Sequence, residues 1–369
     1  MRLGMFMMPV HPPARSFTDT LAEDEEKSLL ADKLGFDELW MGEHFSATSE
    51  PIPSPLMFMA GLVPRTKNLS FGTAVMNLPN HDPVKAAAEV AQFDHMSRGR
   101  FMFGVGTGGL VSDFELFKNT DVALRGRKLL ESVSIIQRIW AQDPPYDIRG
   151  EFWNVSIKDA IIPELGIGYM PKPFQQPGPP ISISLASPHS STARIAGLQG
   201  WGILSANIIP TYSVASHWPV YAKACAEAGN AARGENWRVS RNVMVAPSDA
   251  EARDRVFGDK GANNYFYTYI RAALGSVGLL SILKPDPQMA DDKATVEAIT
   301  EGCVLYGSAK TLLDKLVAFR DTVGPFGTLL MTGLDWSGPN AAWERESMRL
   351  LTEEVMPKFR QHAVAQVAE

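Results

Sequence analysis

The chain has 369 residues, 45% hydrophobic and 21% charged, with a formal net charge of -6; this composition describes a globular protein with room for one elaborate domain. The acidic balance and the absence of any Lys/Arg cluster argue against a surface that grips nucleic acid, and no run of ~18 apolar residues offers a membrane span. Cys225 and Cys303 are the two cysteines, far apart and without His or Cys at ligand spacing, so neither a disulfide framework nor a metal site is expected. The chain opens on a strand-like pattern with no secretory leader, and the expected compartment is the cytoplasm.

Strand-like and helix-like runs then alternate in chain order. RLGMFMM at 2–8 precedes a helical pattern at 21–34, DELWMG at 37–42 one at 54–63, LSFGTAV at 69–75 one at 83–96, and RFMFGV at 100–105 one at 126–140. ISISLA at 181–186 precedes a helix at 190–198, WGILSA at 201–206 one at 213–228, and NVMVAP at 242–247 one at 250–257. A helix at 310–320 leads into GTLLMT at 327–332. Eight short apolar strands with their helices predict an α/β fold of the (β/α)8 TIM-barrel kind, a single domain over 1–369; an open doubly wound sheet is the other arrangement with this pattern. The last helix, 340–361, carries Trp343, Met348, Leu351 and Val355 at helical spacing and should cover the barrel.

Two insertions interrupt the repeat. Residues 141–180 read as a small hairpin followed by the proline-rich PKPFQQPGPP, and residues 258–306 carry the aromatic helical segment NNYFYTYIRAALGSVGLLSIL and then a polar stretch. Long insertions in a barrel serve as lids or pocket walls, or as surface elaborations and subunit contacts.

Loops after the carboxyl ends of barrel strands are where such folds build their sites. Glu43-His44 follows the second strand, where an imidazole with a pKa near neutrality can act as base or donor, or can simply be a packed structural residue. Small side chains at Gly72–Val75 with Asn77 make either a flat floor for an aromatic ring system or a tightly packed corner. GVGTGG at 104–109 follows the fourth strand, and Asp113 is too close to be the acid of a dinucleotide fingerprint. Those glycines therefore read as places where backbone approaches a flat ligand. Ser187, Ser190, Ser191 and Thr192 cluster at a predicted helix N-terminus, where capping accounts for one hydroxyl and an anion site would use more.

Taken together, GFDELWMGEHF, FGTAVMNLPNHDPVKAAAEVAQFDHMSRGRFMFGVGTGGLVSDFELF and LASPHSSTARIAGLQGWG resemble the bacterial luciferase-like flavin monooxygenases over essentially the whole barrel. The texture is similar to the limonene and diketocamphane monooxygenase branch, with EH after the second strand, the L-P-x-H-x-P turn, FDHMSRGR at 93–100 and LYGS at 305–308. The resemblance implies reduced FMN as a cosubstrate, supplied by a separate reductase, and dioxygen. These would form a flavin 4a-hydroperoxide that oxygenates a hydrophobic small molecule such as a terpenoid or cyclic ketone.

Carried over residue by residue, the resemblance makes His44 catalytic and puts a non-prolyl cis peptide at Ala74-Val75 beneath the flavin. It sets Asn77, Gly106 and Thr107 beside the isoalloxazine ring and gives the phosphate to Ser187, Ser190 and Ser191. Luciferase has an arginine where this chain has Thr107, so either another cation, with Arg194 a candidate, compensates, or flavin affinity is lower. The substrate-pocket candidates are Phe6, Met8, Phe45, Met76, Trp153 and the aromatic run Tyr265–Tyr269 with Tyr265 and Tyr267, a set that could equally be core. A deazaflavin-dependent oxidoreductase and a noncatalytic flavin-binding partner subunit are the other readings. The want of basic residues for a polyanionic cofactor tail speaks against the first, and His44 against the second. A homodimer is implied, through the helices at 54–63 and 83–96, with Ala87 and Ala88 either on their outer side or packed against the barrel.

Overall fold

The apolar strand runs all form strands in the computed structural model, which describes residues 1–368. In chain order the strands are β1 (Arg2–Met7), β2 (Glu38–Met41), β3 (Ser70–Thr73), β4 (Met76–Asn77), β5 (Phe101–Gly106), β6 (Tyr146–Arg149), β7 (Asn154–Ile157), β8 (Ile181–Leu185), β9 (Gly202–Ser205), β10 (Trp237–Val245), β11 (Val304–Gly307) and β12 (Thr328–Gly333). Parallel pairing runs β1-β2-β3-β5-β8-β9-β10-β12 and returns to β1, closing an eight-stranded barrel. The open sheet is thereby excluded. β4 continues β3 against β5, and β6 and β7 form the antiparallel hairpin expected in the first insertion.

One strand differs from its sequence reading. The barrel uses Trp237–Arg241, which pairs with β9 and β12, while Asn242–Val245 pairs with β11 outside the closed ring. The run at 242–247 was apolar and visible; the segment before it places Arg238 and Ser240 in the barrel, and their polarity hides the strand.

The helices are α1 (Phe17–Leu34), α2 (Pro55–Leu62), α3 (Pro83–Ser97), α4 (Val111–Leu116), α5 (Val122–Ala141), α6 (Ser191–Gln199), α7 (Thr211–Ala215), α8 (His217–Glu227), α9 (Asp249–Phe257), α10 (Ala262–Ser276), α11 (Val296–Cys303), α12 (Ala309–Val323), α13 (Asn340–Leu350) and α14 (Met356–Ala368). Local chemistry sets their ends. Asp82 accepts from the Val84 and Lys85 amides with Pro83 in the first turn, and Asp121 does the same for Ala123 and Leu124. Gly35 ends α1 at φ 82°, a left-handed conformation that glycine adopts without cost. No helix among the described residues is long and apolar enough to cross a membrane.

Apolar faces of strands and helices make the main core, while Phe6, Trp40, Met102 and Leu330 fill the barrel itself. Below them Glu38 accepts from Arg238 Nε at 3.0 Å and Nη2 at 3.2 Å, from Trp40 Nε1 at 2.7 Å, and pairs with Arg2 at 3.1 Å. Burial works against this carboxylate, yet Arg238 and Arg2 hold it below the usual carboxylate range. The barrel is thus plugged at its amino-terminal end and free to open at the other.

The seam between β1 and β12 is fastened near that open end. His11 places Nδ1 2.7 Å from Asp335 and Nε2 3.2 Å from Asp24, so both ring nitrogens are engaged with carboxylates. On α3, Ala87 is fully buried and its carbonyl accepts from Trp140 Nε1 at 3.1 Å. It packs within this chain, the second of the two placements the sequence leaves open.

Candidate active site

At the carboxyl end of the barrel lies a cavity that opens to solvent. Phe6, Met8 and Val10 reach it from β1, Leu204 and Ile208 from β9 and the loop beyond, and Phe266 and Ile270 from α10. Its polar wall comes from Glu43, His44 and Glu50 after β2, Asn77 after β3, and Ser184, Ser205, Asn207 and Ser240. Among the described residues lining it there is no lysine or arginine.

His44 stands between two carboxylates. Its Nδ1 is 3.3 Å from Asp113 Oδ2 and its Nε2 is 3.3 Å from Glu50 Oε2. Asp113 also receives the Ser46 amide at 2.9 Å, the Phe45 amide at 3.3 Å and the Ser46 hydroxyl, so α4 is tied to the loop carrying His44. Burial alone would lower the His44 pKa; the Asp113 hydrogen bond and the Glu50, Asp113 and Glu43 charges outweigh it and raise the pKa above the ordinary histidine value. Asp113 is moved the opposite way: burial pushes it up, and His44, Ser46 and Phe45 bring it below its usual range. The carboxylates on both sides thus favour the protonated ring, which can then donate from both nitrogens.

Glu50 is tied to the second insertion. Tyr269 of α10 donates its hydroxyl to Glu50 Oε1 at 2.9 Å and accepts from Ser49 Oγ at 3.0 Å. Glu43 fixes the opposite wall: it accepts the Asn77 amide at 3.0 Å, and His81 Nε2 lies 3.0 Å from each of its oxygens. The Asn77 side chain donates back to the Glu43 carbonyl at 3.0 Å.

Between these walls Ala74 and Val75 form part of the cavity surface, and the peptide joining them is cis. Gly106 lets β5 lie against this floor, since a Cβ there would stand 2.4 Å from Val75 Cγ2. Gly108 and Gly109 line the cavity, while Gly106 is buried behind it and Thr107 is half-buried beside it. Past Ala186, which also lines the cavity, the loop carries Ser187 and Ser191 exposed at the start of α6. Ser190 is buried and caps that helix by accepting the Thr192 amide at 3.2 Å. Arg194 is ion-paired with Glu227, so it is engaged away from these hydroxyls.

The pocket candidates divide. Phe6 and Met8 line the cavity. Phe45 instead packs edge-on against Phe117 at 4.8 Å, and Met76 belongs to the core between barrel and helices. Trp153 sits on α5, donating to Ser132 Oγ at 3.1 Å. Tyr265 faces a surface cleft beside Asp335, and Tyr267 is fully buried beneath α10. The helix was read correctly but its face was not: Phe266 and Ile270, four residues apart, meet the cavity. Tyr269 belongs to the aromatic run expected at the pocket, whereas Glu50, Asp113 and His81 are site residues the sequence reading does not include. For His81 the NLPNHDP turn is a usable signal; for Glu50 the sequence offers none.

The luciferase-like monooxygenase family model matches residues 1–324. Among curated proteins, the chain is 31% identical over 364 residues to a 4-hydroxyprotoasukamycin monooxygenase of Streptomyces nodosus subsp. asukaensis, covering 96% of this chain and 91% of that protein. It is 28% identical to a limonene 1,2-monooxygenase of Rhodococcus erythropolis, covering 96% and 86%. Among solved structures, the oxygenating constituent of 3,6-diketocamphane monooxygenase from Pseudomonas putida, in complex with FMN, superposes with a TM-score of 0.86 at 26% identity, covering 97% of this chain and 98% of that one. The chain belongs to the luciferase-like monooxygenase family.

Proposed function

We propose that this member of the luciferase-like monooxygenase family uses reduced FMN and dioxygen to oxygenate a neutral hydrophobic molecule, a terpenoid or cyclic ketone. One observation carries the reading: a single cavity combines an apolar wall, a histidine held between two carboxylates, and no lysine or arginine among its described lining residues. Such a pocket disfavours anionic substrates and favours neutral ones.

The residues present fit FMN. Ala74, Val75 and the glycine backbone of β5 leave a surface without bulky side chains, Asn77 has a fixed amide, and two exposed hydroxyls flank the start of α6. In this reading Ala74, Val75, Asn77, Gly106 and Thr107 border the ring, and Ser187, Ser190 and Ser191 take the phosphate at the helix N-terminus. Reduced FMN, when bound, supplies the activation of dioxygen. His44 then holds a proton at Nδ1 or Nε2 for the reacting oxygen, and Met8, Leu204, Phe266 and Ile270 exclude water from it.

Reduced flavin comes from a separate reductase in this reading, as the family resemblance implies. A homodimer through α2 and α3, in the cytoplasm, completes it; Met57 on α2, 76% exposed, is an apolar side chain suited to such a contact.

The test supplies the purified protein with FMN, a flavin reductase, a nicotinamide donor and ¹⁸O₂, over a panel of terpenes and cyclic ketones. One labelled oxygen atom is expected in the product, and His44→Ala should abolish it. Hydride transfer with reduced deazaflavin under anaerobic conditions, with no label incorporated from FMN and oxygen, overturns the reading.

A further inference from the structure

From Ser205 in the cavity wall, a chain of hydrogen bonds leads outward to the loop after β8. Trp237 Nε1, which can only donate, donates to Ser205 Oγ at 2.9 Å. Ser205 Oγ lies 2.8 Å from His217 Nδ1, and His217 Nε2 lies 2.9 Å from the Ser187 carbonyl oxygen. A carbonyl only accepts, so the ring proton is on Nε2 and Nδ1 accepts from the serine hydroxyl. Every link then has one direction and each donor has its acceptor.

The preceding residue holds the same loop a second time. Ser216 Oγ accepts the His189 amide at 2.8 Å and donates to the Ser213 carbonyl at 2.6 Å. Ser187, Pro188 and His189 are exposed, whereas His217 and Trp237 are fully buried and Ser205 nearly so. An exposed loop is thus pinned by its backbone to a buried interior at Ser187 and His189, and Ser187 and Ser191 remain exposed. Burial, with the charges of Arg241 and His189 adding to it, pushes the His217 imidazole down to about 4 against the pull of the Ser187 carbonyl, so the ring stays neutral.

We propose that His217 is a positioning residue for the flavin phosphate: by anchoring Ser187 it fixes the Ser187–Ser191 loop in the shape that receives the phosphate, and so sets the preference for FMN over riboflavin. The proposal rests on the reading that this loop holds the phosphate. A preformed cradle binds more tightly than one that must be ordered on binding, and only the phosphorylated flavin gains from it.

The test compares reduced FMN with reduced riboflavin by anaerobic equilibrium dialysis, and follows hydrogen exchange at residues 187–191 in the flavin-free protein. His217→Ala should lose roughly tenfold in FMN affinity, the scale of one buried hydrogen bond with its loop ordering, with riboflavin affinity unchanged and faster exchange in the loop. His217→Gln, whose amide can donate to Ser187 and accept from Ser205, should restore most of the preference. Should His217→Ala fail to fold, His217→Asn, too short to reach Ser187, replaces it with the same expectation. An unchanged FMN-to-riboflavin ratio with unchanged loop exchange overturns the proposal. A wild-type protein with no preference for FMN overturns the phosphate reading beneath it.

Discussion

His44 Nε2 stands 3.3 Å from Glu50 Oε2, and the far oxygen of that carboxylate is held by Tyr269 from the second insertion. The insertion therefore acts on the charge of the candidate catalytic residue through one intermediary. Glu50→Gln removes a negative charge that helps raise the His44 pKa, so that pKa should fall. An activity that needs the imidazolium is full below that pKa and declines above it, so its alkaline limb should move to lower pH by the same amount. NMR titration of the His44 ring in the flavin-free protein checks the shift directly; no change would dissociate Glu50 from His44.

Thr107 is half-buried, and its hydroxyl lies 3.5 Å from the Gly108 carbonyl oxygen. Restoring a cation by Thr107→Arg should strengthen FMN binding roughly tenfold through a charge-assisted contact, leaving riboflavin unaffected. Equal gains for both flavins would mean that the guanidinium does not meet the phosphate.

Glu38 neutralises Arg238 inside the barrel, with both side chains buried. Glu38→Ala strands that guanidinium and should destabilise the fold by about 3–5 kcal/mol. Urea unfolding would measure the loss, and Glu38→Ala with Arg238→Met should recover much of it, because an apolar pair leaves no charge unpaired.

Gly104 in β5 has no room for a side chain: a Cβ would stand 1.7 Å from the Thr73 carbonyl oxygen. Thr73 Oγ1 already donates to the Gly104 carbonyl at 2.7 Å, so the two strands are locked face to face. Gly104→Ala should cost roughly 3 kcal/mol or more by forcing the strands apart. A urea midpoint within error of wild type would contradict this.

His217 is neutral in the fold with a pKa of about 4, against 6.5 unfolded. As pH falls from 6.5 towards 4 the unfolded chain takes up a proton that the native ring refuses, so this residue removes up to about 3 kcal/mol of stability over that window and nothing further below it. Glu344, buried with its pKa pushed up to about 7, acts oppositely by stabilising the fold as pH drops through 7 towards 4.5. The difference between wild type and His217→Gln in urea midpoint, measured from pH 7 to pH 4.5, isolates the histidine; a constant difference would refute the assignment.

What the sequence by itself determined is everything governed by local periodicity and terminal chemistry. Apolar runs marked seven of the eight barrel strands, and His44 and Asn77 stood out because they follow strands where barrel sites form. The tertiary structure alone decided which partners complete them. Arg238 reads as a break in a strand until Glu38, 200 residues away, neutralises it. Likewise Asp113 and Glu50 are ordinary acids in sequence, and only closure of the barrel brings them to either side of His44. The aromatic run on α10 pointed to the right helix, but one residue of rotation about a helix turns a side chain by about 100°. Only packing against the barrel chose Phe266 and Ile270 for the cavity and Tyr269 for Glu50. Periodicity is a property of neighbours in the chain; a charge pair or a shared cavity is a property of residues that folding brings together.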